Sequence, residues 1–83
     1  MLKSAKAREK FYDEKIAPEL ARLARMCQDN GLAFLAGVEW DPGHHGRTVS
    51  FPKGTGEAMR RADAALLGEY GVGAVAITIT KEL

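Results

Sequence analysis

Cysteine is almost missing from this chain. Cys27 is alone, so no disulfide can form within the chain, and a reducing compartment is the simplest setting. A long apolar run is missing too. No stretch approaches the ~18 residues that a membrane-spanning helix needs. The first residues carry Lys and Arg without an apolar core behind them, so no secretory leader is expected. Charge of one sign is also lacking. Twelve basic and eleven acidic residues leave a formal charge of +1, which gives no global pull toward nucleic acid or anionic lipid. No internal repeat or low-complexity tract is present. Nor is there a Walker phosphate loop, a dinucleotide fingerprint, a nucleophile elbow or a supported carboxylate pair. No cofactor and no catalytic residue are therefore assigned.

What is present is an apolar fraction of 46% in 83 residues, enough for one small α+β domain over 1–83. A chain of this length buries roughly 60–65% of its unfolded surface, so its core is thin and a partner subunit would help. The chain is organised around Gly31–Trp40, GLAFLAGVEW. Leu32 to Trp40 is expected to be a strand. One face is large (Leu32, Phe34, Ala36, Val38, Trp40) and should meet helices; the other is slim (Ala33, Leu35, Gly37, Glu39) and open to a second subunit.

Before it, Leu2 to Asn30 reads as helix. Tyr12, Ile16, Leu20, Leu23 and Cys27 recur at helical spacing on one side. Pro18 should kink that helix, because it lacks an N–H and clashes with the Glu14 carbonyl. Gly31 is the expected C-cap. After the strand, Asp41–Gly46 (DPGHHG) reads as a turn and Arg47–Phe51 as a second, antiparallel strand. Thr55 is expected to cap a helix over Glu57–Tyr70, lined by Met59, Ala62, Leu66 and Tyr70 and stopped at Gly71. Val72–Thr80 alternates β-branched residues and reads as a third strand, with a buried helix as the alternative. The expected architecture is a two-layer helix–strand–strand–helix–strand domain. Two helices lie on one face of a small, mostly antiparallel sheet, and a homodimer covers the other.

Four groups of residues carry functional readings. His44, His45 and Asp41 together offer imidazole and carboxylate to a divalent metal, although adjacent histidines in an extended segment diverge; an exposed polar turn is the plainer reading. Cys27 would be a nucleophile only beside one of those histidines, and its helical phase favours a buried thiol. Lys53-Gly54-Thr55-Gly56 before a helix looks like anion-binding material but has the wrong order for a phosphate loop. Lys3, Lys6 and Lys10, with Arg60 and Arg61, would make a nucleic-acid surface if folding joins them. Tyr12, Trp40, His44, His45 and Arg47 are the expected contacts for a protein partner, since aromatics and arginine anchor interfaces.

Within the run KFYDEKIAPELARLARMCQDNGLAFLAGVEWDPGHHGRT, the features Lys15-Ile16-Ala17-Pro18, Cys27-Gln28, Asn30-Gly31, Pro42-Gly43 and Gly46-Arg47-Thr48 stand out. This run resembles small proteins encoded by bacteriophages and prophages, and the likeness covers about half the chain. The resemblance implies an accessory role in a host cytoplasm, such as binding and modulating a host protein, and a helical C-terminal segment. It carries no active site. The expected function is thus a non-catalytic, homodimeric regulatory protein that binds a partner protein. The alternatives are a small nucleic-acid binder and a small metal- or thiol-dependent enzyme.

Overall fold

A computed structural model describes residues 2–70 and 75–79. The order is α1 (Ala5–Phe11), a π-helical turn (Tyr12–Ile16), α2 (Ala17–Asp29), β1 (Phe34–Asp41), β2 (His44–Ser50), α3 (Glu57–Tyr70) and β3 (Val75–Ile79). The α+β class and this succession of elements follow the sequence pattern. The C-terminal alternative resolves as strand over Val75–Ile79. The ends of that expected strand (72–74 and 80) and the expected stop at Gly71 lie outside the described residues.

α1, the π turn and α2 run on as one long helix. Ser4 opens it, its hydroxyl accepting from the Ala7 N–H at 3.0 Å. The π turn answers Pro18. A proline cannot bond back to Glu14, and the wider i→i+5 pattern, in which the Ala17 N–H bonds the Tyr12 carbonyl, shifts the register just before it. Gly31 ends the helix with φ +70°. Its N–H bonds the Gln28 carbonyl at 3.2 Å, and the Leu32 N–H bonds that of Cys27 at 2.8 Å. These two bonds complete a Schellman cap.

The sheet order is β1-β2-β3. β1 and β2 are antiparallel, with Val38 opposite Gly46 and Gly37 opposite Arg47. The turn is shorter than the sequence suggests: only Pro42 and Gly43 separate the strands, with a bulge between Glu39 and Asp41. β2 and β3 are parallel, Thr48 facing Ile77. The sheet is therefore mixed; the antiparallel expectation holds for the first pair and not for the second. A parallel neighbour needs a crossover, and α3 supplies it, making β2–α3–β3 a βαβ unit.

That crossover places helices on both faces. A Cβ at Gly46 would run into the Tyr12 ring, so the long helix covers the face bearing Gly46, Thr48 and Ser50. A Cβ at Gly37 would meet Leu66 of α3 at 2.9 Å, and Asp63 of α3 binds Arg47, so α3 covers the opposite face. The sheet is sandwiched, and the slim face of β1 meets α3 instead of a second subunit. Tyr12, Ala17 and Trp40 form the core on the long-helix side, with Ile16, Leu20 and Val38 packed against them. Ala24 is fully buried on the same helix, whereas Leu23 is 38% exposed: small residues, not the leucine, mark the closest approach. Val49 and Phe51 are buried on the α3 side.

Candidate functional site

β2 is the central strand, and it is polar. His45, Arg47, Thr48 and Ser50 are all buried in it. Alternation sends His45 and Arg47 toward α3, and Thr48 and Ser50 toward the long helix.

On the α3 side, Arg47 and Asp63 meet fork to fork. The Arg47 Nε donates to Asp63 Oδ1, and its Nη2 donates to Oδ2 at 2.6 Å. Asp63 lies in the sheet-facing row of α3, four residues after Met59 and three before Leu66, both half-buried. Ala62, expected in that row, is exposed. Bidentate geometry offsets part of the desolvation that burying both charges costs. His45 is 1% exposed, two residues before Arg47 on the same face and opposite Glu39. Beyond them the Arg60 guanidinium lies 5.5 Å over the Phe51 ring.

On the other side the Tyr12 ring crosses Gly46 and stacks tilted on Trp40, with centroids 5.3 Å apart. Burial pushes the Tyr12 hydroxyl above its ordinary pKa; the neighbouring Thr48 hydroxyl opposes the shift and Asp13 adds to it. At the hairpin end, Arg8 ties α1 to the sheet. Its Nε donates to the Trp40 carbonyl at 2.6 Å and its Nη1 to that of Lys3 at 2.7 Å. Asp41 stands 3.7 Å from both Arg8 and the His44 Nδ1. Ala5, Lys6, Glu9, Trp40, Asp41 and His44 line an open cleft of ≈ 190 Å³ there.

This placement revises several sequence expectations. Tyr12, Trp40, His45 and Arg47 are buried and hold the domain together, so little of them is left for a partner; His44 alone of that set is exposed. His44 and His45 are strand residues, not a polar turn, and they point to opposite sides of the sheet. They therefore do not converge with Asp41 on one ion, and among the described residues no three metal-ligating side chains gather. The sheet also separates Cys27, half-buried on α2, from His45. Lys3, Lys6 and Lys10 belong to the long-helix side, and Arg60 and Arg61 to the α3 side, so one chain does not join them. Arg61 is held by Glu57 at 2.7 Å. Thr55 does not cap α3: its hydroxyl donates to the Pro52 carbonyl at 2.5 Å and closes the preceding turn.

The apolar surface lies elsewhere. Leu23, Met26 and Leu32 are 38%, 53% and 57% exposed around the C-terminal end of α2, and Phe11 is 48% exposed further along the long helix. Leu23 and Met26 share a helix side, and the Schellman cap folds the chain back so that Leu32 returns toward the last turn. No helix among the described residues is long and apolar enough to cross a membrane.

The fold and these sites define a small α+β sandwich with a polar, buried central strand. Compared with protein-family models, with curated proteins and with solved structures, the chain matches none of them.

Proposed function

We propose that this chain is a non-catalytic, homo-oligomeric regulatory protein of the cytoplasm that acts by binding a partner protein. The observation that carries the reading is the exposure of Leu23, Met26 and Leu32 at one end of α2. Large apolar side chains gathered at a surface mark interaction sites more often than chance scatter does. The buried groups on either side of β2 support the same reading from the other direction: Arg47 is engaged by Asp63, and the Tyr12 ring of the long helix packs on Trp40 over Gly46. The likeness to phage-encoded proteins makes a host protein the expected partner.

The test is affinity capture from bacterial lysate with nuclease present and salt raised. One stoichiometric protein should remain bound to the native chain. It should be lost from a Met26→Glu, Leu32→Glu variant that keeps its circular dichroism. In a parallel capture at low salt without nuclease, recovery of nucleic acid alone, released as salt is raised, would transfer the function to Lys3, Lys6 and Lys10.

A further inference from the structure

β1 is an edge strand, and from Phe34 to Val38 it carries no defence against pairing. Its inner edge is bonded to β2, and among the described residues no strand lies on its outer edge. Between Phe34 and Val38 it carries no charge, no proline and no bulge, the devices by which monomeric sheets protect an edge. The bulge and the Arg8 bond to the Trp40 carbonyl come only at its far end. Phe34, Leu35, Ala36 and Val38 are all only half-buried, and Gly37 is exposed.

We propose that this outer edge pairs with β1 of a second copy. The two strands run antiparallel about a two-fold axis at Gly37 and join two three-stranded sheets into one. The proposal rests on the homo-oligomeric reading above and names its surface. The strand suits itself as partner. About Gly37, Ala36 falls opposite Val38 of the second copy, and Leu35 opposite Glu39, so no two carboxylates face each other. This register also sets even-numbered positions against even, so the long-helix layer continues on one side and the α3 layer on the other. A two-fold pairing closes on itself, whereas pairing β1 with β3 of another copy would propagate without end.

Amide hydrogen exchange on the native chain, with mass followed by light scattering, tests this. In a monomer the β1 amides alternate between protected and fast, since only every second one faces β2. At concentrations where a dimer forms, consecutive amides from Leu35 to Glu39 should all be slow, and alternation should return on dilution. Alternation persisting in a dimer, or a monomer at every concentration, overturns the proposal. So does protection that appears only when a foreign protein binds.

Two single-cysteine variants, both made on Cys27→Ser, fix the register. Leu35→Cys mixed with Glu39→Cys should cross-link on oxidation. Glu39→Cys alone should not, because its two copies lie ~14 Å apart along the strands; the reverse pattern overturns the register. A monomer that still captures its partner protein would sink the edge pairing and leave the binding function standing.

Discussion

β1 carries Phe34, Leu35, Ala36, Val38 and Trp40, and of these only Trp40 is buried. β2, joined to it by a two-residue turn, carries His45, Arg47, Thr48 and Ser50, and all four are buried. Hydropathy alone would put β1 in the middle of the sheet and β2 at its edge. Connectivity decides otherwise. β2 is hydrogen-bonded on both sides and covered on both faces, so position, not composition, buries it. What makes the buried charge in it tolerable is Asp63 of α3, which meets the Arg47 guanidinium fork to fork. The edge-to-edge pairing proposed above would cover β1 in the corresponding way.

The largest effect should come from unmatching β2. Asp63→Ala leaves a guanidinium buried without its carboxylate, and by analogy with other buried pairs this should cost about 3–5 kcal/mol of unfolding free energy in urea titration. Replacing both partners, Arg47→Met with Asp63→Leu, should recover most of that loss. If the double variant is no better than the single one, the pair is not what holds α3 to the sheet. A comparison of glycines sharpens the contrast between the strands. Gly46→Ala in β2 drives a methyl into the Tyr12 ring, which Trp40 confines, and should cost about 1–3 kcal/mol. Gly37→Ala in β1 meets only the tip of the flexible Leu66 side chain and should stay within about 0.5 kcal/mol of the native chain. Equal losses at the two glycines would mean that the edge strand is as tightly packed as the central one.

Much of the framework is legible in the sequence. Helical spacing through Ile16 and Leu20, Gly31 as the cap, the Pro42-Gly43 turn and the alternation of Val75, Ile77 and Ile79 each mark an element by local chemistry. The face that α3 occupies was not legible, because it depends on β3 lying parallel to β2, a long-range choice that short apolar runs do not record. Two residues did leave signals. A glycine amid the alternating residues of β2 marks the close approach of Tyr12 at Gly46, and an aspartate inside the stripe of Met59 and Leu66 marks the partner of Arg47. Arg8 left none: its partners are backbone carbonyls of Lys3 and Trp40, which carry no side-chain signature.

The smallest expected effect is a pH dependence on the long-helix side. Burial raises the Tyr12 pKa above 10.0, so the folded chain holds this proton more tightly than the unfolded chain does. Above the unfolded value the unfolded state loses its proton first. Stability is therefore fully present below about pH 10 and falls as pH rises from there toward the folded pKa, flattening beyond it. Tyr12→Phe keeps the ring over Gly46 and removes the titrating group, so it should remove that part of the alkaline slope while leaving the neutral-pH stability nearly unchanged. Urea titrations of both chains between pH 8 and pH 12, on the order of one per pH unit, would show it. Identical slopes in the two chains would mean that Tyr12 ionises as freely in the fold as outside it. The hydroxyl face of β2 would then be open to water, and the strand would be less buried on the long-helix side than on the side of α3.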